Sequence, residues 1–300
     1  MRIKRISALL LALILLFTFA ACGAKETPDG EDANENEQSE EDEEGTTPIS
    51  FSVMTYNTQN SGVSKGNEES HDAKYTKLAG MIDQKKPDII ALQECATTDA
   101  ANSIRKKLAE KDNYGVITGS SGAHTALIYN KTVFSKVASG CQQIGTKGDE
   151  TGSAYDRYLQ WVRLRHIESG IEFVVVPVHV DYVTAAYLAQ LQKITDYLKE
   201  EQSGVSAILM GDFNAKPDPL KSSSLNTERY YSAREQATEN KSKNTATFLG
   251  DGGGIIDHVF YKSSVGFRGL KSQYYEVLTS DENNPSDHRP VYAEFSFGKK

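Results

Sequence analysis

"VSAILMGDFN" occupies residues 205–214. The apolar run from Ala207 to Gly211 leads into Asp212, Phe213 and Asn214. A run this short, flanked by polar residues, reads as a buried strand and not as a helix, which needs ten or more residues to show its period. If the chain stays extended, Asp212 and Asn214 share one face. A buried strand that ends in a carboxylate and an amide has two explanations. The polar pair is a solvated turn, or it is part of a site assembled at the end of a sheet. What the other strands carry at their ends decides between them.

Short apolar runs recur through the chain and many end in the same way. "ISFSVMTYN" (49–57) alternates and ends in Asn57. "DIIALQE" (88–94) ends in Glu94, and "IEFVVVPVHV" (171–180) delivers His179. "GIIDHVFY" (254–261) delivers Asp257, and Asp287 and His288 stand at the head of "HRPVYAEFSF" (288–297). "TALIYN" (125–130) and "YLQWVRLRH" (158–166) complete the strands. Helical spacing marks 75–86, stopped by Pro87, then 100–111 and 185–201, the last being the longest. The order mixes strand–helix–strand passages with strand-to-strand passages. That excludes a uniformly parallel sheet and predicts an α+β fold of two mixed sheets packed face to face with helices outside. Every polar strand end is a metal ligand, an acid–base group or an amide, and none is a lysine. Independent solvated turns would include some.

"MTYN", "LQE", "PVHVD", "GDFN", "IDHVF" and "SDHRPV" together resemble the ordered motifs of the endonuclease/exonuclease/phosphatase superfamily, with its deoxyribonuclease I-like fold. The resemblance spans about residues 50–297. It implies a four-layer α/β/β/α sandwich. It also implies cleavage of phosphodiester or phosphomonoester bonds with Mg²⁺ or Mn²⁺, which suits hard oxygen ligands better than zinc would. By the same resemblance Glu94 is a metal ligand, with Asn57 and Asp287 beside it. His288 is the general base or contacts the scissile phosphate, steadied by Asp257. Asp212 positions or deprotonates the attacking water, Asn214 donates to a non-bridging oxygen, and His179 acts near the phosphate as donor or acid. Arg157 is placed as a phosphate-gripping arginine is in relatives. His258 should point to the face opposite Asp257 and be structural. His71, His124 and His166 have no partner pattern, although His124 is a candidate to line the cleft. Asp181, in "HVD", is a weaker candidate. The alternative function is a catalytically silent binding module on the same fold. A structural wall protein would carry repeats, and none is visible.

The chain has 300 residues, and its N-terminus reads differently from the rest. "MRIKRISALLLALILLFTFAAC" (1–22) has three basic residues, an apolar run of about fourteen and small residues before Cys22, the grammar of an export signal. The run is too short for a membrane span. "FAAC" resembles a bacterial lipobox with Cys22 as the lipidated residue; an ordinary secretion signal is the alternative. Residues 23–47 hold eleven acids and one lysine and should form a disordered tether. The expected location is therefore the cell exterior, anchored to the membrane by lipid at Cys22. Residues 48–300 form the folded domain, expected as a monomer. Of 33 Lys+Arg and 41 Asp+Glu in the chain, residues 48–300 keep 29 and 30. A domain so near neutrality lacks the footprint of a committed nucleic-acid binder. Its expected partners are a phosphoester substrate and, through the anchor, the membrane. Cys95 and Cys141 could join in an exported protein, but spacing alone cannot pair them.

Overall fold

The computed structural model describes residues 48–61, 68–95, 97–120, 122–264 and 269–298. The stretch 1–22 expected as an export signal with Cys22, and the acidic stretch 23–47, lie outside the described residues.

Thirteen strands and six helices follow one another along the described chain. They are β1 (Ile49–Ser61), α1 (Glu68–Asp83), β2 (Ile89–Cys95), α2 (Thr98–Lys107), β3 (Tyr114–Thr118), β4 (Thr125–Asn130), β5 (Phe134–Gly145), β6 (Arg157–His166) and β7 (Glu172–His179). Then come α3 (Thr184–Glu201), β8 (Ser206–Asp212), α4 (Pro217–Leu220), α5 (Ser224–Thr227), β9 (Tyr231–Ser232), α6 (Ala233–Gln236), β10 (Glu239–Asn240), β11 (Asp257–Lys262), β12 (Lys271–Val277) and β13 (Val291–Phe297). One sheet has the order β10-β12-β13-β1-β2-β4-β3, the other β5-β6-β7-β8-β11-β9. β1 pairs parallel with β2 across α1, and β7 pairs parallel with β8 across α3. These two crossovers sit in the interior of their sheets, as helix-connected parallel strands require.

Three apolar layers separate four structural layers. Between the sheets lie Phe51, Val53, Phe134, Phe173, Val175, Ile208, Met210, Phe295 and Phe297. Met54, Tyr56, Ile90 and Leu92 turn to the other side and meet Leu78, Ile82 and Ile104 of α1 and α2. Val174, Val176 and Leu209 likewise meet Leu191 and Ile194 of α3. β7 and β8 are thus buried on both faces, which is why "FVVVPVHV" shows no polar alternation. Phe51 anchors the central layer, its ring centroid 5.1–6.0 Å from those of Phe134, Phe173, Phe295 and Phe297. Each such buried ring contributes roughly 2–3 kcal/mol. The α/β/β/α sandwich expected from the motifs is the fold observed.

The sequence pattern does not mark β3 or β5. β5 is an edge strand with most of its middle exposed, so polar residues such as Ser135, Lys136 and Gln142 break any apolar run. α1 begins at Glu68, well before the expected Tyr75, because residues 68–74 carry no apolar period, and Ser70, Asp72 and Ala73 are exposed. Cys95 and Cys141 are both free thiols, the first buried. No helix among the described residues is long and apolar enough to cross a membrane.

One glycine is dictated by the sheet. A Cβ placed on Gly211 would lie 1.9 Å from the Val178 carbonyl oxygen of the neighbouring strand. Gly211→Ala must therefore push β8 off β7 just before Asp212. We expect a loss of about 3 kcal/mol or more in unfolding free energy, measured by urea denaturation, against less than 1 kcal/mol for an alanine at the open Gly80.

Candidate active site

The period of two that buries the phenylalanines also builds the site. Along β1, Phe51 and Val53 face the inter-sheet core, and Asn57 continues that face at the strand's end. Along β7, Phe173 and Val175 lead to His179. Along β8, Ile208 and Met210 lead to Asp212. β11 begins at Asp257 and continues inward with Val259 and Tyr261. His179 and Asp257 both stand opposite Asp212 in the strand registers, so the three form one row across β7, β8 and β11. The inner face changes from apolar to polar within one residue pair at this end of the sandwich.

Two residues reach the site by leaving the alternation. β2 sends its even residues Ile90 and Leu92 toward the helices, which would carry Glu94 outward. Glu94 instead adopts φ 54°, a left-handed conformation costly for a non-glycine residue, and its carboxylate turns into the cleft. Asn214 also has φ 48°. It shares the cleft with Asp212 through this turn, since the strand stops at Asp212 and Phe213 packs in the core toward α3. Continued alternation is thus the wrong reason for that placement. Its backbone N–H donates to Asp212 Oδ1 (2.8 Å), and its side-chain amide donates to the Val180 carbonyl (2.9 Å).

The contacts form one connected assembly. Asn57 Nδ2 donates to Glu94 Oε1 (3.2 Å) and to Asp212 Oδ2 (3.1 Å), joining the two sheets. Its Oδ1 accepts from the Gln59 N–H (3.0 Å), which fixes which end of the amide points where. The second oxygen of Glu94 accepts from the Asn60 N–H (2.9 Å). His288 Nδ1 donates to Asp257 Oδ2 (2.9 Å), while its Nε2 faces Asp212 Oδ2 (3.8 Å) and Asp287 Oδ1 (4.0 Å). The loop carrying His288 is pinned to β1, because Ser286 Oγ donates to the Asn57 carbonyl (2.7 Å) and accepts from the His288 N–H. Phe248 packs on the His288 ring at 4.9 Å. Arg157 Nη1 lies 3.2 Å from His179 Nδ1. A guanidinium can only donate, so Nδ1 accepts and His179 carries its proton on Nε2.

Burial and charge set the protonation states. The Asp212 carboxyl is pushed up to about 7, first by burial and then by the Asp257 charge. Burial alone would lower His288, but the charge and hydrogen bond of Asp257 outweigh it, and the imidazole rises to about 9. His288 is therefore an imidazolium at neutral pH with Nε2–H directed at the cleft. His179 is held well below its ordinary value by burial and then by the Arg157 guanidinium. Its 3.8 Å approach to Asp212 is accordingly no ion pair.

Asp212, Asp257 and His288 could geometrically converge on one cation. Their chemistry argues otherwise, since one nitrogen of His288 is committed to Asp257 and the ring is itself cationic. Glu94 and Asp287 are better suited. Both are partly exposed on the cleft wall, offer hard oxygens and act together on the Lys74 ammonium, whose pKa burial lowers and these two charges raise. They fit a Mg²⁺ or Mn²⁺ ion; Asn57, expected as a ligand beside them, instead turns Nδ2 to the carboxylates and its oxygen to the Gln59 N–H, so it orients Glu94 and offers no ligand atom.

Glu94, Arg157, His179, Asp212, Asn214, Asp287 and His288 line a cleft of about 410 Å³ at the end of the inter-sheet seam, with the fully buried Asn57 and Asp257 behind them. An Exo_endo_phos model, for the Endonuclease/Exonuclease/phosphatase family, matches residues 54–288. The chain belongs to that family. Solved structures agree with it in fold. An endonuclease/exonuclease/phosphatase family protein from Bacteroides thetaiotaomicron is 22% identical with a TM-score of 0.68, over 84% of this chain and 99% of that one. A mannosyl-6-phosphatase from the same organism is 22% identical with a TM-score of 0.66, over 82% and 100%. TDP2 from Caenorhabditis elegans is 19% identical with a TM-score of 0.60, over 83% and 98%. No curated protein matches the chain.

Every strand-end residue singled out in the sequence comes to this family's cleft or directly behind it. Asn60, Tyr155, Tyr182 and Phe248 also line it and carry no such signal. His124 joins them, exposed and at φ 50°. Asp181 does not line the cleft: it is fully buried and takes hydrogen bonds from the 153–155 loop. His258 is structural as expected, with Nε2 against the Ala215 carbonyl (2.9 Å) and Phe213 and Phe260 around it.

His258 makes stability pH-dependent. Burial lowers it to about 4, below the unfolded value of about 6.5. As pH falls the unfolded chain binds the proton first, so stability is intact above about 6.5 and is lost down to about 4. Between those limits wild type should lose about 3 kcal/mol more than His258→Gln, measured by urea denaturation at each pH.

Proposed function

We propose that the chain is a divalent-metal-dependent phosphoester hydrolase acting by water attack on phosphorus. The observation that carries this reading is the pairing of a base and a cation in one cleft: the Asp212 carboxylate beside the His288 imidazolium held by Asp257. Asp212, with its carboxyl pushed up to about 7, takes a proton from water at Oδ2 near neutral pH. His288 Nε2–H donates to the phosphoryl oxygens as charge builds on them. Arg157 and the Nε2–H of His179 hold a further oxygen from the opposite wall. Asn214 orients the Asp212 carboxylate through its backbone N–H. Glu94 and Asp287 would hold the metal, with Asn57 orienting Glu94 from behind; bound there, it would neutralise charge on the phosphoryl and leaving oxygens.

A small phosphoester suits this cleft better than a nucleic acid. Arg157 is the single Lys or Arg among the described residues lining it, and residues 48–300 are close to neutral. The fold is shared with a protein named as a mannosyl-6-phosphatase, which agrees with a monoester. An export signal with lipidation at Cys22 would place the enzyme on the outer face of a membrane, with residues 23–47 as its tether.

Hydrolysis of p-nitrophenyl phosphate and bis-p-nitrophenyl phosphate, with Mg²⁺ and with chelator, tests the reading. We expect turnover with Mg²⁺ only, and kcat/KM lower by roughly 10²-fold or more in Glu94→Gln and His288→Ala. A wild type that binds Mg²⁺ yet hydrolyses neither ester, nor any sugar phosphate, would favour a catalytically silent binding module.

A further inference from the structure

Two aromatic rings of the cleft wall stand open to solvent. Tyr155 and Tyr182 are 53% and 58% exposed, among the most exposed large hydrophobic side chains described. Both line the cleft. Their ring centroids are 6.3 Å apart and their planes are inclined at 70°, so they form a corner open to solvent. The Arg157 guanidinium lies 5.2 Å from the Tyr155 centroid and 3.2 Å from His179, so this corner adjoins the groups that face the phosphate. Rings left this exposed cost free energy in water and mark a contact surface when they cluster beside a cleft.

The backbone beneath them is held unusually firmly. Tyr155 and Tyr182 come from different loops, before β6 and before α3. One fully buried carboxylate, Asp181, fixes both. Its Oδ2 accepts from the backbone N–H groups of Ala154 (3.0 Å) and Tyr155 (3.1 Å) and from Ser153 Oγ (3.1 Å). Its Oδ1 accepts from the Val183 N–H (3.0 Å). Buried Gln190 closes the network, its Oε1 accepting from the Asp181 N–H (2.9 Å) and its Nε2 donating to Ser153 Oγ (3.2 Å). A buried carboxylate with four donors is a rigid and costly anchor. Ordinary surface loops do not need one. It makes Asp181 a positioning residue for the two rings.

We propose that Tyr155 and Tyr182 form a recognition wall for a ring-bearing leaving group, so that the preferred substrate is a small phosphoester whose alcohol presents a flat or apolar ring face. This rests on the phosphoester reading of the cleft and narrows it. A sugar ring and a nucleoside base both offer such a face, and an acyclic polyol does not. The cleft's volume of about 410 Å³ admits a molecule of that size. Stacking on a preorganised ring gains affinity without ordering the protein.

The test is equilibrium binding by calorimetry in the presence of chelator, so that turnover does not enter. Glucose 6-phosphate, AMP and glycerol 3-phosphate are titrated into wild type, Y155A/Y182A and Y155F/Y182F. Both tyrosines are exposed, so neither variant endangers folding. We expect one ring-bearing ester to bind wild type at least about tenfold more tightly than glycerol 3-phosphate. Which of the two does so identifies a sugar or a nucleoside as the leaving group. The ratio should fall to near one in Y155A/Y182A and persist in Y155F/Y182F, which keeps both rings. A wild-type ratio near one, a ratio that survives in Y155A/Y182A, or no measurable binding of either ring-bearing ester would overturn the proposal. Loss of hydrolysis with the binding ratio intact would instead count against the hydrolase reading alone.

Discussion

One amide holds the two halves of this molecule's chemistry together. Asn57 is fully buried, and its single Nδ2 group donates to a carboxylate from each sheet, Glu94 and Asp212. Both hydrogens of that nitrogen are used, and the oxygen is fixed by the Gln59 N–H. The seam between the sheets is apolar along its length and closes at this end with charge. An apolar residue at 57 would leave two carboxylates facing each other without a donor between them, a cost of several kcal/mol at such burial.

The arrangement makes sense as a balance of charges. Glu94, Asp212, Asp257 and Asp287 gather at one end of the sandwich. The cations near them are the His288 imidazolium, the Arg157 guanidinium and the Lys74 ammonium. They are not distributed evenly. His288 sits between Asp257 and Asp212, and Arg157 lies across the cleft against His179. Among the described residues, Glu94 and Asp287 face the open side with the half-buried Lys74, whose ammonium donates to the Gln59 carbonyl. In the reading proposed above, a divalent ion would answer that local excess, with Arg157 and His288 left to meet a phosphoryl group. Left-handed backbone at Glu94 and Asn214 belongs to the same design, since strain at a site persists only where the surroundings enforce it.

Much of this was legible in the sequence because strands have a period of two. Phe51, Val53 and Asn57 announce an inner face that ends polar, and so do Ile208, Met210 and Asp212. The motifs at the ends of β1, β2, β7, β8, β11 and before β13 therefore carried both the fold and most of the cleft. What escaped had physical reasons. β5 is an edge strand whose exposure removes the apolar pattern. Glu94 was legible from its motif and not from the strand period, since it lies on the outward parity of β2 and reaches the cleft through its left-handed φ. Tyr155, Tyr182 and Phe248 reach the cleft from loops, where no periodicity links sequence to place. Asp181 stands next to a motif histidine, yet its carboxylate serves the loops behind the cleft.

Glu94 and Asp287, the carboxylates on the open side of the cleft, are proposed to form a divalent-cation site oriented by Asn57. The most direct measurement is the melting temperature of chelator-treated protein as Mg²⁺ is added back. A ligand that binds only the folded state must stabilise it in proportion to the logarithm of its concentration once the site is filled. We expect a rise of several degrees that is abolished in Glu94→Gln and reduced in Asp287→Asn. A melting temperature indifferent to both Mg²⁺ and Mn²⁺ at millimolar concentration would contradict it.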